Sequence, residues 1–191
     1  KQQSYRKLLV APVTLRSGLE KLIKREINHA KNDLPAKIIA KMNSLVDPEI
    51  IKLLYVASQE GVKIELIIRG MCCLYPQKKG LSENIKVTSI IGRFLEHSRI
   101  FWFNNNENPD VFIGSADWMR RNLDRRVEAV TPIEDNKIKI EIKHLLDSYL
   151  EANKDSWIMQ SDGSYSKSQI LNDKKKYIQE KIIKLYKKEE N

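Results

Sequence analysis

Ala36-Lys-Ile-Ile-Ala-Lys-Met42, then Asp47-Pro48 leading an apolar-periodic stretch that Gly61 ends, then Val62-Lys-Ile-Glu-Leu-Ile-Ile68: this is the stretch whose reading decides the fold. Both outer runs are short, apolar and rich in isoleucine, of strand length rather than helix length. Between them Asp47 offers a capping carboxylate, and Pro48 has the backbone angle of a first helical residue. Ile50, Ile51 and Leu54 continue at helical spacing, and Gly61 suits the stop. Two strands joined by a helix predict a parallel crossover and therefore an α/β fold. Ligands of such sheets gather beyond the carboxyl ends of the strands. The residues there are Lys41, Asn43 and Ser44 after the first strand and Arg69-Gly70 after the second.

Upstream, Lys7–Pro12 (K-L-L-V-A-P) reads as a short buried strand. Ser17 and Glu20 make a capping-box pattern, and Leu19, Leu22, Ile23 and Ile27 carry a helix to about Lys31. His29, near its end among charged neighbours, reads as a solvated surface histidine. Downstream, Pro76–Ser82 is a loop and Ile85–Ile91 a strand. Arg99–Phe103 and Val111–Gly114 are strands joined by the turn-rich N-N-N-E-N-P-D, and a further strand spans about Arg126–Pro132. A helix follows from about Asn136 to Ala152, with Ile138, Ile142, Leu145 and Tyr149 on one face and His144 beside it. Ser156–Gln160 reads as an edge strand before the turn S-D-G-S. The lysine-rich tail from Ser166 to Asn191 interleaves Ile170, Tyr177, Ile182, Ile183 and Leu185, as an amphipathic helix would.

The 191 residues suffice for one domain of sizeable core, and the division expected is a domain over residues 1–165 with a lysine-rich tail over 166–191. No apolar run is long enough to cross a bilayer and no leader pattern opens the chain, which favours a cytoplasmic protein, with peripheral membrane contact left to the basic tail. The chain opens at Lys1 rather than methionine, as a piece of a longer protein would. Cys72 and Cys73 are adjacent, a spacing that suits neither a relaxed disulfide nor a metal or redox motif. The formal charge of +9 calls for an acidic partner: nucleotide, nucleic acid, polyphosphate or anionic lipid.

Chemistry concentrates between Gly92 and Asn122, read as G-R-F-L-E-H-S-R-I-F-W-F and then G-S-A-D-W-M-R-R-N. His97 and Arg99 would share one face of a strand, and Arg93, Arg120, Arg121, Arg125 and Arg126 lie near in sequence. An imidazole among guanidiniums suits chemistry on an anion, phosphate first. Arg69 has a structural alternative, a pair with a carboxylate such as Glu96. The four later arginines divide between phosphate contact and salt bridges to Asp117, Asp124 or Glu128. Trp102 and Trp118 read as packing residues, and Ser115 lacks the G-x-S-x-G elbow of a hydrolase nucleophile.

H-S-R at 97–99 followed by G-S-A-D at 114–117 resembles the phospholipase D signature, departing from it where Arg99 replaces a lysine and where the spacing to Gly114 is longer. I-A-K-M-N-S-L-V-D-P, G-V-K-I-E-L-I-I-R-G-M-C-C-L, G-L-S-E-N-I-K-V-T-S-I-I-G-R-F-L-E-H-S-R-I and S-A-D-W-M-R-R-N-L-D-R-R-V-E more closely resemble the last catalytic domain of phosphohistidine-type polyphosphate kinases. That resemblance runs from K-L-L-V-A-P to about Tyr165. It implies a phospholipase D-like mixed sheet flanked by helices, with a C-terminal helical extension. It also implies reversible transfer of the ATP γ-phosphate to inorganic polyphosphate, with Mg²⁺. The histidine that becomes phosphorylated and the Mg²⁺-linked arginines would lie in a preceding domain, leaving no metal ligands here. The implied partners are ATP or ADP, polyphosphate, the enzyme's remaining domains and further copies in a homo-oligomer, without nucleic acid. Arg69 would contact the nucleotide phosphates and His97 would assist transfer as the second active-site histidine, with Lys41, Asn43 and Arg99 as further candidates for phosphate contact. Two rivals remain: a dimeric phospholipase D-like phosphodiesterase or nuclease, and a non-catalytic polyanion-binding module.

Overall fold

The computed structural model describes residues 5–151, 154–168 and 177–187. In chain order the elements are β1 (Leu9–Ala11), α1 (Leu15–Lys31), β2 (Lys37–Met42), α2 (Pro48–Gln59), β3 (Lys63–Ile68), β4 (Ile85–Ile90) and β5 (Arg99–Phe103). They continue with β6 (Asp110–Gly114), α3 (Arg120–Asp124), β7 (Glu128–Ile133), α4 (Asn136–Leu150), β8 (Ser156–Met159), β9 (Tyr165–Lys167) and α5 (Ile178–Lys187). Among the described residues the strands form one sheet in the order β1-β7-β6-β5-β2-β3-β4-β8-β9. β2, β3 and β4 are parallel, and the strands on either side are antiparallel. The crossover expected between Ala36 and Ile68 is therefore present, with Ile38 opposite Ile64 and Met42 opposite Ile68.

Side chains alternate across the central strands, so each strand contributes to two cores. Ile38, Ala40 and Met42 of β2, Ile64, Leu66 and Ile68 of β3, and Phe101 and Phe103 of β5 join α1 and α2 on one face. Ile39, Ile67, Ile100 and Trp102 meet Leu146 and Tyr149 of α4 and Ile178 of α5 on the other. Trp118 is wholly buried, with its ring 5.2 Å from that of Phe101, so both Trp102 and Trp118 are packing residues as expected.

Some local expectations are corrected. Helix α1 starts two residues before Ser17, after Thr14, and the Ser17 hydroxyl donates to the Thr14 carbonyl instead of capping. His29 is only half exposed, with its Nδ1 buried, because helix α1 lies against the sheet along that side. On α4, Ile142, Leu145 and Tyr149 pack inward, but Ile138 is largely exposed at the helix start, and His144 is exposed. β8 is not the edge: Tyr165–Lys167 pairs with it as β9, taking the first residues of the tail into the sheet. Within that tail the described helix is Ile178–Lys187, and Ile170 lies outside the described residues, as does Ala152. Cys72 and Cys73 are free thiols, and burial pushes the Cys72 thiol up to about 11.

One ion-pair cluster ties three helices together. Arg16 of α1 donates from Nη1 and Nη2 to Asp47, at 3.0 and 2.6 Å, and from Nε and Nη2 to Asp124, at 2.6 and 2.7 Å. Asp47 also caps α2 by accepting the Ile50 N–H at 3.0 Å. Burial opposes ionisation of the Asp47 carboxyl, but the Arg16 and backbone hydrogen bonds outweigh it and hold the group below its usual range. Asp124 is lowered chiefly by its hydrogen bond from Arg16.

Asp47→Ala removes a cap and one partner of a buried pair, so it is expected to cost about 3 kcal/mol in denaturant unfolding. The Asp47 and Asp124 carboxyls titrate lower in the folded chain than the ~3.9 of an unfolded aspartate. Their stabilisation is thus complete above that value and is lost as pH falls through the depressed folded values. The stability gap between wild type and Arg16→Ala is expected to shrink below about pH 4. A gap that stays constant from neutral pH into that range would contradict the assignment.

Candidate functional site

The carboxyl ends of β2 and β3 and the amino end of β5 meet at one edge of the sheet, because β5 runs antiparallel to β2 with Ile100 opposite Lys41. The loop after β2 is clamped there. Leu45 N–H donates to the Met71 carbonyl at 2.9 Å, and the Val46 and Asp47 N–H groups share the Trp118 carbonyl at 2.9 and 3.0 Å. Gly70 allows the β3 exit to come close: its N–H lies 2.6 Å from the Asn43 carbonyl, and a Cβ would sit 2.9 Å from that oxygen. Five of the residues singled out in the sequence, Lys41, Asn43, Arg69, His97 and Arg99, come together at this edge through two hydrogen-bonded runs.

The first run centres on Asp117. Its carboxylate accepts the Asn43 backbone N–H at 2.8 Å and the Asn43 amide at 3.3 and 3.4 Å. It also accepts Nε and Nη2 of Arg99, at 3.1 and 3.2 Å, in a two-pronged pair. Asn43 Oδ1 in turn accepts Arg69 Nε at 3.1 Å. On the other side Arg99 Nη1 reaches His97 Nδ1 at 2.9 Å and the His97 carbonyl at 2.8 Å. The same Nη1 lies 3.4 Å from His97 Nε2, so the guanidinium nitrogen stands against the imidazole as a whole. His97 is exposed and Arg69 half-buried, neither sunk in apolar packing.

The second run lies beneath. Lys41 is 2% exposed; its Nζ donates to Ser98 Oγ at 2.8 Å, pairs with Glu96 Oε2 at 3.1 Å and stands 5.0 Å over the Tyr149 ring. Tyr149 Oη and Gln179 Nε2 donate to Glu96 at 2.9 and 2.8 Å. Burial lowers the Lys41 ammonium from its ordinary value, only partly opposed by Glu96. Burial alone would raise Glu96, but the Gln179 hydrogen bond, the Lys41 charge and Tyr149 together bring it below the usual carboxylate range. Burial first, then the Glu96 charge, raises the Tyr149 hydroxyl. Glu96 thus stays an anion under the site.

His97 is not on a strand, contrary to expectation: β5 starts at Arg99, and residues 91–98 form an irregular loop. It meets Arg99 through the turn of that loop rather than by face alternation. Lys41 belongs to the site but supports it from below, since the ring of Tyr149 and the Glu96 pair cover it. The pairing of Arg69 with Glu96 does not occur; Glu96 takes Lys41 instead. Nor do Arg120, Arg121, Arg125 and Arg126 form the salt bridges considered for them. Asp117 is held by Arg99, Asp124 by Arg16, and Glu128 by Asn122 and Ser115, so among the described residues these four exposed arginines have no ion pair. Ser115 donates to Glu128 and is a structural hydroxyl.

Sequence reasoning missed Asp117 as the hub and the support from Tyr149 and Gln179. The G-S-A-D block signalled Asp117; nothing local signalled the other two. Among the described residues no group of three or more His, Cys, Asp and Glu side chains could hold a metal ion. A groove of about 640 Å³ lies at the opposite end of β2 and β3, lined by Lys37, Lys63, Glu60 and Glu107, and includes none of these site residues.

Residues 8–179 match the model of the family described as polyphosphate kinase C-terminal domain 2. The chain is 63% identical over 187 residues to a polyphosphate kinase of Prochlorococcus marinus, covering 97% of this chain and 26% of that protein. It is 64% identical over 169 residues to one from Parasynechococcus marenigrum, covering 88% of this chain and 24% of that protein. The chain therefore spans about a quarter of the length of the curated relatives it matches. The crystal structure of polyphosphate kinase from Porphyromonas gingivalis superposes with a TM-score of 0.93 at 37% identity, over 98% of this chain and 29% of that one. Nuc from Salmonella typhimurium, a phospholipase D family member, matches with a TM-score of 0.56 at 14% identity over 81% of this chain and 97% of its own, which shows a shared fold. With a family match that leaves only the first seven residues and those after 179 outside it, this chain belongs to the polyphosphate kinase family, as its second, phospholipase D-like C-terminal domain.

Proposed function

We propose that this domain forms one wall of the active site of a polyphosphate kinase that moves the γ-phosphate of ATP reversibly onto inorganic polyphosphate. The observation that carries the proposal is the unbroken run from His97 through Arg99, Asp117 and Asn43 to Arg69, on the ligand edge of a polyphosphate kinase domain. Phosphoryl transfer needs little covalent help from a protein and much positioning and charge compensation. Arg69 is steered by Asn43 through Nε alone, which leaves its two terminal nitrogens for phosphate oxygens of the nucleotide. His97 offers a ring N–H to an oxygen on which charge develops, while Arg99 beside the ring orients it and adds positive charge.

The covalent exchange belongs to a histidine in a preceding domain of the complete enzyme. There the γ-phosphorus leaves the ATP bridging oxygen for an imidazole nitrogen, releasing ADP, and then leaves that nitrogen for a terminal polyphosphate oxygen. Glu96 and Asp117, the carboxylates at this edge, are both engaged by cations. Mg²⁺ would be bound mainly by the preceding domain of the complete enzyme. The proposal includes a cytoplasmic enzyme that assembles with its other domains and with further copies of itself. No helix among the described residues is long and apolar enough to cross a membrane. The boundary at residue 165 falls inside β9, so the tail beyond it is taken as a flank of the same body.

In the complete enzyme, His97→Ala and Arg69→Ala are each expected to lower turnover on the order of a hundredfold. Arg69→Lys is expected to rescue poorly, because a single ammonium lacks the planar fork that lets Nε bond Asn43 while both terminal nitrogens face phosphate oxygens. ATP-dependent polyphosphate synthesis at wild-type rate in either alanine variant would refute the proposal. The 191 residues alone are expected to show no kinase activity, and synthesis by them would show that the missing wall is not required.

A further inference from the structure

The loop of residues 91–98, which carries both Glu96 and His97, has little packing of its own. Phe94 and Leu95 are 51% and 73% exposed, and a cavity of about 340 Å³ separates Gly92–Phe94 from Tyr177, Glu180 and Ile183 of the C-terminal segment. Among the described residues, the side chain of Gln179 carries hydrogen bonds across this seam. Gln179, 5% exposed at the start of α5, accepts the Phe94 N–H at 2.8 Å through Oε1. Its Nε2 donates to the Phe94 carbonyl at 2.7 Å and to Glu96 Oε1 at 2.8 Å. One amide therefore holds the loop backbone from both sides and the carboxylate one residue before His97. Gln179 is itself anchored, since Ile178 and Ile182 beside it pack with Leu146 and Tyr149 of α4. Asp155 accepts the Ile178 N–H where the helix begins. Gly92 completes the fit: a Cβ there would lie 2.6 Å from Gln179 Oε1, so a side chain at 92 would evict the glutamine.

We propose, building on the functional reading above, that Gln179 is a positioning residue: through Phe94 and Glu96 it latches the His97 loop, so that the C-terminal helix holds the catalytic edge in register. The latch acts on the loop and leaves the nucleotide contacts alone, because Arg69 and Asn43 are held by Asp117 and by each other. Gln179 occupies one oxygen of Glu96 while Lys41 and Tyr149 hold the other, and Lys41 in turn holds Ser98. The loop is thus pinned on both sides of His97.

The test uses the complete enzyme with two variants. Gln179→Met fills the same space without hydrogen bonds, and Gly92→Ala keeps the glutamine but takes its place. Two readouts are compared with wild type: hydrogen exchange of the Phe94 amide and steady-state kinetics with ATP. Both variants are expected to speed exchange at Phe94 about tenfold or more while α1 and β2 amides keep their protection. They are expected to lower kcat about tenfold or more with the KM for ATP within about twofold. Unchanged exchange at Phe94 in Gln179→Met would overturn the latch, whatever the activity. Faster exchange with wild-type kcat would overturn the positioning role. If His97→Ala retains wild-type turnover in the same assay, the functional reading fails on its own, and the latch is then judged by exchange alone.

Discussion

The Asp117 carboxylate is the constraint on which the candidate site depends. It is nearly buried, and four N–H groups from Asn43 and Arg99 converge on it. A carboxylate out of water is costly unless it is paired and hydrogen-bonded, and here the groups that satisfy it are the ones the site needs oriented. Arg99 cannot swing away from Asp117, so its remaining nitrogen stays against His97. Asn43 cannot turn its amide, so its oxygen stays against Arg69. One anion thereby sets the direction of two cations and one imidazole.

That anion is placed by packing rather than by the polar groups themselves. Trp118 follows it directly, is wholly buried against Phe101, and offers its carbonyl to the loop that starts α2. The same loop carries Asn43 at one end and the Asp47 cap at the other, and Asp47 is locked by Arg16. The rigid part of the site is thus continuous with the helix-faced core. The part bearing His97 is different. It leaves the sheet, exposes apolar side chains and is pinned from the opposite face by Lys41, Glu96 and the C-terminal helix. The candidate site thus has a rigid part carrying Arg69 beside a separately tethered part carrying His97.

The exposed arginines after the Asp117 block carry no competing ion pairs among the described residues, although the chain has carboxylates in the right places in sequence. Those carboxylates are taken by Arg16, Arg99, Asn122 and Ser115, partners reached through tertiary contact. Neighbours in sequence were poor guides because α3 is a short helix whose Arg120 and Arg121 are exposed while its one carboxylate, Asp124, turns back to Arg16 of α1.

The amino-acid order by itself determined the parallel βαβ centre, because strand-length apolar runs, an Asp-Pro start and a glycine stop leave one simple topology. It also placed Lys41, Asn43 and Arg69 at the closing ends of two parallel strands, the edge where the structure brings them together with His97 and Arg99. The long blocks around Arg69 and His97 were legible for the same reason, as unbroken local patterns. Only the tertiary structure decided how those residues are held. Asp117, Tyr149 and Gln179 come from segments far apart in the chain, and a hydrogen bond between distant elements leaves no periodicity to read. His97 could be placed at the site but not off the strand, and Lys41 could be named but not seen to lie under Tyr149. For Lys41, burial on the second face of the sheet, beneath Tyr149 of the late helix α4, made the decision.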